Sequence, residues 1–257
     1  MIRYLDSHCH ITCERLYPRV EEILENCRTS QVDRLLVICC TYEELQRALD
    51  LKQRHPHLQI AYGFYPCDTY TLNEADYTRL EDVCRSGCID VIGEIGLDYY
   101  WEENPPRQFQ REVFARQLAL AEKLDLPVIV HDREAHGDCL DMVRAFPNVR
   151  GVFHCYSGSV EDARVLLDRG WYLGFDGPIT YKNARKAPEV VQYMPMDRML
   201  LETDSPYLAP VPFRGKRNDS RYLSYVAERI AQLRGMDAAA VEQATWDNAN
   251  RFFGLQG

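Results

Sequence analysis

Short apolar runs alternate with amphipathic stretches along nearly the whole chain. The runs cover residues 3–6, 34–40, 59–65, 90–96, 126–131, 151–155, 171–175 and 199–202. Each is apolar at both odd and even positions, the pattern of a parallel strand buried on two faces. The stretches between them repeat their apolar residues at helical spacing instead. The longest begins at Pro105 and places Phe109, Val113, Phe114, Leu118 and Ala121 on one helical face. Shorter helical patterns cover 20–28, 43–54, 74–85, 135–145, 160–168 and 187–193, and two more, 222–233 and 238–253, follow the last run. Eight strand–helix alternations predict an α/β fold, a TIM (β/α)8 barrel, expected as a single domain over residues 1–257. An open doubly wound sheet also accommodates eight units, so the polar residues have to separate the two.

They favour the barrel. Most runs end, on their C-terminal side, in residues able to bind a metal or a phosphate. The first ends Asp6-Ser7-His8-Cys9-His10, the fourth Glu94-Ile95-Gly96-Leu97-Asp98, and the fifth His131-Asp132-Arg133. His154 closes the sixth and Glu202-Thr203-Asp204 the eighth. In a closed barrel these ends share one mouth, where barrel active sites lie. Four of the seven histidines sit at such ends, which argues for a common task.

In an extended segment residues i and i+2 point to the same side, so His8 and His10 can grip one cation. An H-x-H pair alone is weak. With His131, His154 and Asp204 at other strand ends it reads as a metal centre, and a carboxylate such as Glu94 can bridge two ions. Asp6 and Glu202, inside their strands, read as groups that orient the ligands or as ion partners inside the barrel, not as ligands themselves. His55 and His57 read as surface residues, and His136 as a surface or supporting group.

Composition adds limits. The formal charge is -9, so a nucleic-acid substrate must meet a local basic patch or a metal and not the average field of the protein. Arg214, Lys216 and Arg217 follow the eighth run, where barrel loops often bind phosphate, and Arg133 follows the fifth. A plain solvated turn is the competing reading for that basic loop. Tyr99, Tyr100 and Trp101 could stack bases or simply pack. The start shows no secretory signal pattern and no stretch is long enough to span a membrane, so a cytoplasmic protein is expected. Ten cysteines are then expected to be reduced; Cys9, Cys39, Cys40 and Cys155 read as small hydrophobes in or beside strands, and Cys84 with Cys88 as a lone C-x3-C.

Taken in order, DSHCH, GEIGLDYY, PVIVHDR, the HCYSG segment at His154, and LLETDSPYLAP with PFRGKRN resemble the successive motifs of the TatD-related metal-dependent deoxyribonucleases. The resemblance runs from residue 6 to about 218, and the ending 248–253 also fits. It implies a barrel of the amidohydrolase type holding two or three divalent ions (Zn, Mg or Mn). The ligands it implies are His8, His10, Glu94, His131, His154 and Asp204. One position departs: the family's G-x-H-P segment is Gly63-Phe64-Tyr65-Pro66 here. Tyrosine is a poor ligand at neutral pH but can hydrogen-bond, so Tyr65 is expected on the substrate side.

The leading expectation is hydrolysis of DNA phosphodiesters from an end, single-stranded or frayed, by water activated by the cations. Asp204 would ligate and take the proton, Glu94 would bridge, and Arg214, Arg133, Lys216 and Tyr65 would meet the substrate. The alternative is the same chemistry on a carbonyl, an ester such as an aminoacyl-tRNA or a small amide. A third possibility is a barrel that keeps metal for stability or binding alone. No obligate protein partner is implied.

Overall fold

The computed structural model describes residues 3–255. Eight strands form one parallel sheet in sequence order: β1 (Tyr4–Cys9), β2 (Val32–Cys39), β3 (Leu58–Tyr62), β4 (Val91–Asp98), β5 (Val128–Arg133), β6 (Gly151–Phe153), β7 (Tyr172–Phe175) and β8 (Met199–Leu201). The sheet closes on itself just beyond the formal ends of β1 and β8. There the His10 N–H donates to the Ser205 carbonyl at 2.8 Å and the Asp204 N–H to the His8 carbonyl at 2.9 Å. The fold is a TIM barrel, as the eight runs and the polar residues at their ends predict.

Both faces of the strands are buried, for two different reasons. Leu35, Val37 and Cys39 of β2, Ile60 of β3 and Val128 and Val130 of β5 join the large core beneath the surrounding helices. The alternate residues form a smaller cluster that plugs the lumen: Leu5, Leu36, Ile38, Ala61, Val91, Ile129, Val152, Tyr172 and Leu200. This two-sided burial explains why no strand shows polar alternation.

Helices α1 (Val20–Thr29), α2 (Tyr42–Arg54), α3 (Glu74–Ser86), α4 (Arg107–Leu124), α5 (His136–Ala145), α6 (Val160–Leu167), α7 (Lys186–Tyr193) and α8 (Leu223–Arg234) link or follow the strands. Three start at capping boxes, Thr41 with Glu44, Asn73 with Asp76, and Ser159 with Asp162, which satisfy the first free amides of each helix. The last helix, α9 (Ala238–Phe253), packs Phe252 on Tyr172 and Ala249 against the lumen plug. Its Glu242 accepts the Tyr4 hydroxyl, and Asn248 donates to the Met196 and Met199 carbonyls at 2.6 and 2.9 Å. The floor of the lumen is therefore apolar, and chemistry is left to the other end.

The strand limits differ from the sequence pattern where polar residues continue the ladder. β1 runs on through His8 and Cys9, and β4 through Asp98, well past the expected ends at 6 and 96. β3 and β6 stop at Tyr62 and Phe153, so Tyr65 and Cys155 lie in the following loops.

Candidate metal centre

One step beyond the apolar plug, the lumen turns polar. Strand side chains alternate, so the residues two places after Ile129, Val152 and Leu200 face the same interior. These are His131, His154 and Glu202. On β7 the equivalent residue is Gly174, where a Cβ would lie 2.1 Å from a Glu202 carboxylate oxygen. The glycine is required because Glu202 needs that space.

His8 and Glu94 arrive by another route. The β1–β2 register shifts between Asp6 and Cys9, and the β4–β5 register between Ile92 and Ile95. Such irregularities re-aim a side chain that simple alternation would turn away. Beneath the second, Gly93 leaves no room for a side chain, since a Cβ there would sit 2.7 Å from that of Ile129.

Glu94 lies at the centre of the resulting cluster, 3% exposed. Its Oε1 is 2.8 Å from His131 Nδ1 and 2.7 Å from His154 Nε2. Its Oε2 is 3.5 Å from His8 Nε2 and 3.8 Å from His10 Nε2. Asp204 Oδ1 completes the second group, 3.6 Å from His8 Nε2 and 3.3 Å from His10 Nε2. One carboxylate thus faces two pairs of imidazoles, one pair per oxygen. Within the pairs the ring nitrogens approach to 3.2 Å (His8, His10) and 3.3 Å (His131, His154). Nitrogens directed at one another beside two carboxylates are a donor set suited to divalent cations. The triads His8–His10–Asp204 and Glu94–His131–His154 each bring their ligand atoms within 4.8 Å of one another.

The carboxylates and imidazoles of the cluster shift one another strongly. Burial, reinforced by His154, lowers the pKa of His8 and so favours its neutral, ligating form. Burial opposes charge on His154, but Glu94 and Glu202 outweigh it and raise its pKa well above that of a free imidazole. Burial also opposes charge on Glu94, yet His154 and His8 hold its pKa well below the usual carboxylate range. Asp204 stays low through its hydrogen bond with His10, against its own burial. Carboxylates held ionised among imidazoles are what an incoming cation requires.

Further groups hold the side chains of the cluster. Asp98 Oδ2 lies 3.2 Å from His131 Nε2, while Gln110 clamps the Asp98 backbone through both its N–H and its carbonyl. Asp6 accepts from the His8 N–H, the Thr203 N–H and the Thr203 hydroxyl. Burial pushes its carboxyl up to about 7 despite those bonds. Glu202 accepts from the Cys155 N–H and from Ser7, and its Oε1 lies 3.7 Å from His154 Nδ1.

The TatD related DNase family model matches residues 5–254. This chain belongs to the TatD family. Among TatD relatives, YabD of Bacillus subtilis, an uncharacterized metal-dependent hydrolase, is 38% identical over 250 residues, covering 96% of this chain and 98% of its own. YcfH of Escherichia coli K12, described in the same words, is 35% identical over 257 residues, covering 97% and 95%. The crystal structure of the Escherichia coli TatD homologue YjjV superposes with a TM-score of 0.93 at 27% identity, over 99% of both chains. The protein is accordingly a metal-dependent hydrolase of the TatD family, with a buried His/Glu/Asp cluster that fits divalent metal.

The residues expected to meet substrate are placed less tightly than those of the cluster. The Tyr65 hydroxyl is 3.3 Å from His131 Nε2, half-buried, so it touches the cluster directly. Arg133 lies over the rings of Tyr100 and Trp101, at 4.1 and 5.3 Å, and Arg214 over Tyr181 at 4.2 Å. Both arginines and Lys216 are exposed. His136 pairs with Asp132 at 2.8 Å, away from the cluster. Among the described residues no helix is long and apolar enough to cross a membrane, and the ten cysteines are all free thiols.

Two buried acids were given no role from the sequence. Asp98 ends the GEIGLD run; its backbone pairs with Arg133, and its carboxylate reaches back to His131 Nε2 at 3.2 Å. Asp176, just after β7, is 3% exposed and leaves one carboxylate oxygen without a partner. The lumen-side alternation from Tyr172 through Gly174 would have pointed to it.

Proposed function

We propose that this protein hydrolyses DNA phosphodiesters from an end, with cations held by His8, His10, Glu94, His131, His154 and Asp204. The observation that carries the reading is the Glu94 carboxylate, presenting one oxygen to His8 and His10 and the other to His131 and His154. Divalent ions in such a cage supply Lewis acidity to a scissile ester and make water a stronger nucleophile.

The chain's own groups supply the rest. Asp204 faces the mouth with its side chain still 13% exposed, so a water at the cluster can reach it. Its lowered pKa keeps it ionised and ready to accept a proton. Asp98 fixes the His131 ring, and Glu202 lies against His154. Arg214, over the Tyr181 ring at 4.2 Å, presents a planar cation that matches a phosphate in both charge and geometry. Arg133 with Tyr100 and Trp101 offers an exposed cation and rings on which a strand end can lie.

The same cluster also supports attack on a carbonyl, an ester such as an aminoacyl-tRNA or a small amide. Tyr65 is the observation that favours it, because its hydroxyl beside His131 is a neutral donor for a developing oxyanion.

The test is cleavage of end-labelled single-stranded DNA by chelated and then metal-reconstituted protein, with Asp204→Asn as control. Metal-restored cleavage that the variant lacks supports the nuclease. Stoichiometric metal without cleavage, together with turnover of an ester, moves the assignment to the carbonyl hydrolase. A free-thiol protein is consistent with a reducing, cytoplasmic setting.

A further inference from the structure

The lumen-side alternation that delivers His131 and His154 also delivers Cys40. On β2, Leu36 and Ile38 belong to the apolar plug, and Cys40 packs against the same plug one step nearer the mouth. Its neighbour Cys39 faces the other way, into the core under the helices, with its sulfur near Thr12 and the Val37 carbonyl. Cys40 therefore occupies on β2 the level that His131 occupies on β5 and His154 on β6.

Three further observations bear on Cys40, and the first sets it apart from the other cysteines. Its sulfur, a His10 ring nitrogen and a Glu94 carboxylate oxygen all lie within 4.8 Å of one another. The sulfur has no hydrogen-bond partner among the described residues, whereas the thiols of Cys9 and Cys139 reach backbone carbonyls. The backbone is held in place from outside, because the Cys40 N–H donates to Glu44 Oε2 at 2.8 Å, the carboxylate that also caps α2. A small hydrophobe would not need a place beside two groups of the metal cluster.

We infer that Cys40 is a thiolate ligand to a cation held with His10 and Glu94, and that it biases the centre toward zinc-like ions over manganese or magnesium. The inference rests on the metal centre proposed above but not on its substrate. Thiolate is the soft member of an otherwise nitrogen and oxygen set, and soft ligands select zinc and its neighbours over harder ions. Binding releases the thiol proton to the buffer as the sulfur–metal bond forms.

The experiment is spectroscopic. Chelated full-length protein is reconstituted with cobalt(II) and its absorption recorded, for the wild type, Cys40→Ser, Cys40→Ala and Cys155→Ser. The expected result is a near-ultraviolet thiolate-to-cobalt charge-transfer band in the wild type and in Cys155→Ser. Both Cys40 variants lose that band while keeping the visible ligand-field bands. Zinc affinity falls at least about tenfold in Cys40→Ser, and manganese affinity by less. X-ray absorption of the zinc-loaded wild type reads the same point without a variant, as a sulfur neighbour at about 2.3 Å. Cobalt or zinc that loads with no sulfur signal overturns the thiolate ligand and leaves the metal centre standing. A band that survives in Cys40→Ser and Cys40→Ala overturns the assignment to this cysteine. Failure of any divalent ion to bind removes the metal centre and the thiolate together.

Discussion

The Asp204 backbone N–H donates to the His8 carbonyl at 2.9 Å, so the seam that closes β8 onto β1 passes through the metal cluster. The adjoining bond, His10 N–H to the Ser205 carbonyl, has the same character. Side chains of His8, His10 and Asp204 converge from either side of that seam, and a shared cation would tie its edges together. Chelation is therefore expected to lower Tm and to speed amide exchange selectively at residues 8–10 and 204–205. At a hundredfold excess of metal over its Kd, binding to the folded state alone stabilises by about 2.7 kcal/mol. Exchange that rises evenly over the whole chain, or not at all, would sink the seam argument.

Asp204→Asn keeps the seam, because the backbone makes those bonds and not the carboxylate. It removes a charge that His10 holds ionised. Hydrolysis is expected to fall by about a hundredfold or more, the usual contribution of a proton acceptor, with Tm of the metal-free protein little changed. An unchanged rate would remove Asp204 from the proposed role.

Asp98→Asn tests the support of His131. The Asp98 side chain is fully buried, and its Oδ2 lies 3.2 Å from His131 Nε2. With the charge gone the imidazole loses the partner that sets its orientation and basicity. Metal affinity is expected to fall about 10- to 100-fold by calorimetric titration, as it does for comparable supporting residues. Wild-type affinity in the variant would assign Asp98 to packing alone.

How legible this was depended on the physics of each element. The strands were visible because burial on two faces leaves both parities apolar, and the closing residues of β5 and β8 announced His131 and Asp204. Glu94 and His8 are different. Each sits at a register irregularity: the run ends and the His8–His10 spacing marked them as candidates, but simple alternation along the whole strand would have turned them away from the lumen. Cys40 looked like one more small hydrophobe because the alternation that separates it from Cys39 becomes informative only once the lumen plug is known. The end of β3 shows the same limit: Tyr65 lies beyond the ladder, and its contact with His131 depends on a loop path that the sequence does not encode locally.

His136 gives a pH test away from the cluster. The Asp132 carboxylate at 2.8 Å raises its pKa above 6.5, against partial burial. A raised folded-state value means that the pair's stabilisation is full below 6.5 and fades as pH rises through the folded-state value. The penalty of His136→Asn, read as the shift in urea midpoint, is expected to be largest in mildly acidic buffer and to shrink toward alkaline pH. A penalty that grows with pH would mean that the imidazole acts here as a neutral group.

Arg214 separates a phosphate-bearing substrate from an uncharged ester. Its guanidinium lies over Tyr181 at 4.2 Å and the residue is exposed, so replacing it removes a cation without opening the core. If the substrate is a phosphodiester, Arg214→Ala should raise KM for DNA about tenfold, the scale of one charge-assisted contact. The loss should deepen for short substrates with few other phosphates and fade at high salt, where ionic contributions are screened. Arg214→Lys should recover only part of it, because a point charge keeps the attraction but loses the planar fork. A neutral ester draws nothing from that cation, so its KM should stay at the wild-type value in both variants. Steady-state kinetics on both substrates decide the matter, and equal losses on DNA and on the ester would make Arg214 a structural residue of the β8 loop.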